Sequence, residues 1–99
     1  MLNIEKSAKD SELTVVLAGR LDTTTAPALE KELKESLDSV TNLVIDMTDL
    51  EYISSAGLRV LLSAQKTMNK QGAMLVKHVN DSIMEIFEVT GFSDILTIQ

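Results

Sequence analysis

Between Leu43 and Met68 the spacing of apolar residues changes once, and that change limits what the chain can fold into. Leu43-Val44-Ile45 is a short, continuously apolar run ending at Asp46, the pattern of a central strand buried on both faces, with Asp46 at the rim of the sheet. From Ala56 the period becomes helical: Gly57, Val60, Leu61, Ala64 and Met68 form an inward stripe, Leu58 and Leu62 widen it, and Gly72 is a C′-type stop. The passage between them reads as a short polar turn in which Asp46 and Asp49 bond their own backbone. It delivers two hydroxyls, Ser54 and Ser55, to the start of the helix.

The flanking segments repeat this alternation of strand and helix. Leu2 and Ile4 alternate with Asn3 and Glu5, Lys9-Asp10-Ser11 supplies a turn, and Leu13 to Ala18 follows as the second arm of a hairpin. Leu13, Val15 and Leu17 share one face, and Val16 with Ala18 on the other predicts cover on both sides. After Gly19-Arg20-Leu21-Asp22, the hydroxyls of Thr23, Thr24 and Thr25 offer caps for a helix that holds Pro27 in its first turn and runs to about Leu37–Val40. Ala26, Leu29, Leu33 and Leu37 are its apolar stripe, and Glu30, Lys31, Lys34 and Glu35 lie on its solvated face. Ala73 to Val79 reads as a buried strand, Asn80 or Asp81 caps a short helix carrying Ile83, Ile86 and Phe87, Gly91 ends it, and Ile95 to Ile98 is a last strand. The expected fold is α/β, in the order β-β-α-β-α-β-α-β. It is a mixed β-sheet with an N-terminal hairpin and helices packed beside it, forming one domain over residues 1–99.

Ninety-nine residues, 44% of them hydrophobic, suffice for one core. There is no cysteine, hence no disulfide framework or thiolate metal site. The first residues, Met1 to Lys6, lack the apolar core of a signal peptide, and no apolar run approaches the roughly 20 residues that span a bilayer, so a cytoplasmic location is expected. A formal charge of −6 disfavours nucleic acid and anionic lipid, and directs attention to a protein partner.

A helix N-terminus presents unpaired N–H groups and partial positive charge, so Ser54-Ser55 is a place where a phosphate would be stabilised, with Arg59 one turn beyond Ser55. The alternative is that one or both serines only cap the helix. Arg59, Ser63, Lys66 and Lys70 make the exposed face of this helix basic in an acidic chain. His78 is the only histidine and has no Gly-x-Ser-x-Gly elbow near it. No Gly-rich phosphate loop is present, so no enzyme, metal or cofactor chemistry is expected. A phosphoaspartate receiver built on Asp46 would need an acidic pair after the first strand, where Lys6-Ser7-Ala8-Lys9 stands instead.

Gly19-Arg20-Leu21-Asp22, Leu43-Val44-Ile45-Asp46-Met47-Thr48, Tyr52-Ile53-Ser54-Ser55-Ala56-Gly57-Leu58-Arg59-Val60-Leu61 and Val89-Thr90-Gly91-Phe92 together resemble the STAS domain family. Within it, the resemblance is to the bacterial anti-sigma factor antagonists. It implies a protein that is not an enzyme. Such a protein binds an anti-sigma factor that is also a serine kinase, is switched off when that kinase phosphorylates it, and is restored by a serine phosphatase. Matching Gly57-Leu58 to the family's Gly-Leu puts the phosphoacceptor at Ser55, with Ser54 as the lesser candidate because the best-known antagonists carry aspartate there. The same resemblance puts Asp22, Thr23, Thr24, Ser54, Ser55, Gly57 and Arg59 on the partner-binding surface. It leaves a second reading open, a non-switching STAS scaffold in a stress-signalling or transporter-associated complex. Many antagonists continue past the position of Gln99 with a final helix; without it, one sheet face is expected to be less covered, favouring a homodimer or a partner helix.

Overall fold

The computed structural model describes residues 1–99. They form β1 (Leu2–Lys9), β2 (Glu12–Leu21), α1 (Ala26–Ser36), β3 (Asn42–Ile53), α2 (Ser55–Gln71), β4 (Ala73–Lys77) and α3 (Asp81–Thr90), followed by a 3-10 turn at Phe92–Asp94. The hairpin turns at Asp10, whose left-handed φ of 56° suits an aspartate, and pairs antiparallel from Leu2 opposite Gly19 to Lys9 opposite Glu12. β3 then lies parallel to β2 and β4 parallel to β3, giving a four-stranded sheet in the order β1-β2-β3-β4. Parallel neighbours connected by right-handed crossovers in one direction place their helices on one face of the sheet.

That face holds the core. Leu13, Val15 and Leu17 of β2, Leu43, Ile45 and Met47 of β3, and Met74 and Val76 of β4 are buried with the helical residues Leu29, Leu33, Leu61, Met68, Ile83 and Phe87 in one cluster. α1 is pinned over the hairpin where Lys6 Nζ meets Glu32 Oε2 at 2.5 Å and Ser36 Oγ at 2.9 Å. The opposite face of the sheet, with Val16, Ala18, Val44 and Leu75, is only half-buried. The expected cover on both sides of β2 is therefore absent, because all helices follow crossovers of the same hand.

β3 departs most from expectation. It continues for 12 residues to Ile53, and Asp46 is not its end. The residue between Val16 and Ala18 faces two between Asp46 and Asp49, and the step from Gly19 to Arg20 faces two steps from Leu50 to Tyr52. Each shift inserts one extra residue into β3, as a bulge does. The buried positions accordingly change from every second residue (Leu43, Ile45, Met47) to every third (Met47, Leu50, Ile53). A period of three matches no regular strand, which is why this stretch reads as a turn. Asp46 does bond its local backbone: its Oδ1 accepts from Thr48 N at 2.9 Å and Thr48 Oγ1 at 2.6 Å. Partial burial is the largest single influence on the Asp46 carboxyl and raises its pKa; the Thr48 bonds, with His78 and Lys77, outweigh it and leave the pKa lowered.

Three smaller differences have local causes. α1 stops at Ser36 because Ser39 turns left-handed (φ 66°), and Gln71 Nε2 takes up the carbonyls of Leu37 and Val40. Gly72 ends α2 in an extended rather than left-handed conformation. A Cβ there would stand 1.9 Å from Thr41 O, so close approach demands the glycine. The last strand is reduced to a single parallel bridge, Val76 to Ile98, because the N–H groups of Ile95 and Leu96 turn back to Phe92 O and leave only Thr97 to Gln99 to reach β4. The observed order is β-β-α-β-α-β-α. α3 matches expectation, with Asn80 Oδ1 capping Ile83 N at 2.9 Å and Gly91 left-handed at φ 83°.

Candidate functional site

The carboxyl ends of β2 and β3 lie side by side, Leu21 opposite Ile53, so the starts of α1 and α2 share one rim of the sheet. The backbone closes the rim where Ser54 N donates to Leu21 O at 2.9 Å. Gly57 makes the closeness possible: a Cβ on it would stand 2.7 Å from Leu21 Cγ and 2.9 Å from Ile53 Cγ1. Gly57 is itself buried, so it offers no surface to a partner, and its part in the site is to let α2 dock.

Ser54 and Ser55 occupy different positions. Ser54 is the N-cap, extended at φ −98° and ψ 175°, and its Oγ accepts from Gly57 N at 3.4 Å. Ser55 is the first residue of α2 and is exposed, with no side-chain hydrogen bond to the rest of the chain. The capping role considered for the pair therefore falls on Ser54 and leaves the Ser55 hydroxyl free, beside the N–H groups of a 17-residue helix. Arg59 lies four residues on, the spacing that brings two side chains onto one helical face, and forms no ion pair. It borders a depression of about 140 Å³ shared with Thr23, Pro27, Glu30 and Ala56, between the starts of the two helices.

At the start of α1 the polar groups are occupied. Asp22 Oδ1 accepts from Thr24 Oγ1 at 2.7 Å, Thr24 N at 3.0 Å and Thr25 N at 3.2 Å. Thr25 Oγ1 accepts from Asp22 N at 2.8 Å and donates to Arg20 O at 2.8 Å. The expected threonine caps are absent, since Thr25 makes no side-chain cap bond to α1; the Asp22 carboxylate orders the turn ahead of the helix, and the first helical N–H, that of Ala26, goes to the Asp22 carbonyl at 2.8 Å. The Thr24 hydroxyl, foremost, holds the Asp22 carboxyl below its ordinary value of 3.8. Partial burial opposes this, and the backbone N–H groups of Thr24 and Thr25 and the Thr25 hydroxyl add to it. Thr23 is exposed beside this network.

Sequence reasoning missed two residues here. The Arg20 guanidinium lies 4.4 Å from the centre of the Tyr52 ring, and its Nε is 3.8 Å from Asp22 Oδ2. Arg20 and Tyr52 are register partners only because of the second bulge in β3, so no spacing in the sequence announces them. No group of three or more His, Cys, Asp or Glu side chains is placed to hold a metal ion. No helix is long and apolar enough to cross a membrane.

Comparison with known proteins agrees with this architecture. The STAS domain profile matches residues 3–99. The anti-sigma-B factor antagonist of Bacillus subtilis is 29% identical over 98 residues, covering 98% of this chain and 90% of that protein. The anti-sigma-B factor antagonist of Listeria monocytogenes is 31% identical over 101 residues, covering 99% and 89%. Among solved structures, an anti-sigma factor antagonist from Mycobacterium paratuberculosis superposes with a TM-score of 0.89 at 25% identity, over 99% of this chain and 85% of the other.

Proposed function

This chain belongs to the STAS domain family, and from that membership we propose that it is an anti-sigma factor antagonist switched by phosphorylation of Ser55. Unphosphorylated and in the cytoplasm, it docks on an anti-sigma factor that is also a serine kinase, and so releases a sigma factor for transcription. It acts as a binding module, not as an enzyme. The docking surface comprises Asp22, Thr23, Thr24, Ser54, Ser55 and Arg59 on the shared rim and the exposed face of α2.

The observation that carries this reading is the division of labour between the two serines: Ser54 is committed to Gly57 N, and Ser55 presents an exposed hydroxyl bonded to nothing else in the chain. Phosphorylation adds roughly −1.5 to −2 charges at neutral pH. At the first residue of α2 that charge meets the positive end of the helix, so the fold tolerates it. A partner that has to cover Ser55 meets a hydrated dianion instead of a hydroxyl, and docking fails by desolvation and repulsion while the domain stays folded. A serine phosphatase returns the surface to its neutral form.

The test uses a small ATP-binding serine kinase of the anti-sigma type from the same organism, sought first among the reading frames that neighbour this chain's. Incubation with the kinase and ATP, followed by peptide mass spectrometry, is expected to place the phosphate on Ser55. Ser55→Ala is expected to bind that kinase and resist modification, and Ser55→Asp to lose binding at least tenfold by titration calorimetry. Binding by Ser55→Asp equal to wild type would leave the non-switching scaffold as the reading to adopt.

A further inference from the structure

Two exposed helical faces carry charges of opposite sign that find no partner within the chain. α2 has Arg59, Lys66 and Lys70 and no acidic residue. α3 has Asp81, Glu85 and Glu88 and no basic residue. All six side chains are exposed, and none takes part in either of the chain's ion pairs. α3 also bears the least covered large apolar side chain after Met1: Val89 is 81% exposed, beside half-buried Ile86. With Ser82, Glu85 and Thr90 these two line a shallow hollow of about 310 Å³.

Leu61 and Met68 of α2 and Ile83 and Phe87 of α3 are buried in the same core cluster, so both helices lie on the core face of the sheet with their charged sides turned to solvent. We propose that this surface is a contact between two copies of the chain, related by a twofold axis, with α2 of each copy lying on α3 of the other. In such an arrangement every contact occurs twice, so each basic helix meets an acidic one and Val89 is covered on both sides. The occupant is a second copy because the surface is complementary to itself.

The contact is expected to be weak. Helices of 10 and 17 residues side by side offer a footprint on the order of 300–500 Å² per copy, below the roughly 800 Å² per partner of a standard stable interface. Two chains of net charge −6 also repel at long range; a Debye length of about 10 Å near 0.1 M salt screens that repulsion more than it screens charges in contact. Because this face includes the outer surface of α2, self-association and docking of another protein there exclude one another. The proposal does not rest on the function above, and its test needs only this protein.

Sedimentation velocity of the wild-type chain in about 0.1 M salt, from about 10 µM to 1 mM, is expected to show a reversible shift from monomer towards dimer that is lost near 1 M salt. The variant K66E/K70E and the variant E85K/E88K are each expected to stay monomeric, and an equimolar mixture of the two to recover the dimer. The first carries net charge −6 − 4 = −10 and the second −6 + 4 = −2, so both remain acidic and the mixture gains nothing from bulk attraction. The E85K/E88K variant is the less repelled of all, which makes its failure to dimerise specific to the lost contacts. Val89→Ser is expected to weaken the dimer without unfolding the chain, since Val89 packs on little. A wild type that is monomeric at 1 mM overturns the proposal, as does a dimer indifferent to both charge reversals, which would sit elsewhere, for instance on the half-buried sheet face around Val16, Val44 and Leu75.

Discussion

The starts of α1 and α2 stand next to each other on one rim, open on hydroxyl-bearing residues, and handle those residues in opposite ways. At α1, Asp22 gathers Thr24 and Thr25 into a closed set of hydrogen bonds, and only Thr23 keeps a free hydroxyl. At α2, a single long bond from Gly57 N to Ser54 Oγ serves as the cap, and Ser55 contributes nothing to the fold through its side chain. The first terminus is shaped by its own side chains. The second is held by backbone packing, through Gly57 on Leu21 and Ile53 and through Ser54 N on Leu21 O. A terminus held in place from below can leave its outermost hydroxyl available, and this separates a residue that maintains structure from one that can be modified without structural loss.

Four substitutions sharpen or break this contrast. Gly57→Val should be the most damaging, because its side chain has to enter space occupied by Leu21 and Ile53. A loss of about 2–3 kcal/mol in urea unfolding is expected, and a neutral result would show that the α2 terminus is not held from below. Ser54→Ala removes the cap and should cost about 0.5–1 kcal/mol by the same measurement, at the low end for a cap because the bond is 3.4 Å long.

Asp22→Asn tests the α1 network by its pH dependence. The folded pKa of Asp22 lies below 3.8, so the stability it contributes is present above that value and fades as pH falls through the lowered folded pKa. The gap in urea midpoint between wild type and Asp22→Asn should therefore close on acidification. Comparison with the variant isolates Asp22 from Asp46, whose pKa is lowered too. A gap unchanged down to strong acid would mean that the carboxylate charge is not what orders the turn. The smallest effect is expected from Ser55→Ala, within about 0.5 kcal/mol of wild type. A loss above 1 kcal/mol would give Ser55 the structural role assigned to Ser54 and remove the contrast.

Much of this was visible in the order of residues. The hairpin, the apolar stripe of α1, the inward stripe of α2 and the capped α3 follow from local periods and caps, and the structure buries Leu29, Leu33, Leu61, Met68 and Phe87 as those periods require. β3 beyond Asp46 was not visible, because two inserted residues break the period of two on which strand recognition depends. The closing strand is shorter than its composition suggests: of Ile95-Leu96-Thr97-Ile98 only Ile98 is bridged to β4, through bonds from Val76 N to Thr97 O and from Gln99 N to Val76 O. In the site, Ser54 and Ser55 were identifiable from their place before a helical pattern, and Asp22 only from the family resemblance. Arg20 stacked on Tyr52 was not, since their pairing depends on a bulged register between strands about thirty positions apart.

What the sequence by itself determined is what hydrogen bonding and periodicity decide over a few residues: which segments are strands or helices, that two serines open α2, and that its outer face is basic. Which serine caps and which is free, that Gly57 serves packing and not contact, and that Asp22 draws Thr24 and Thr25 into the turn before α1 instead of leaving them to cap it were decided by tertiary structure. The reason is geometric. A side-chain hydrogen bond or a clash with a Cβ depends on tenths of an ångström set by elements distant in the chain, here the ends of β2 and β3 brought together as Leu21 and Ile53 beneath Gly57.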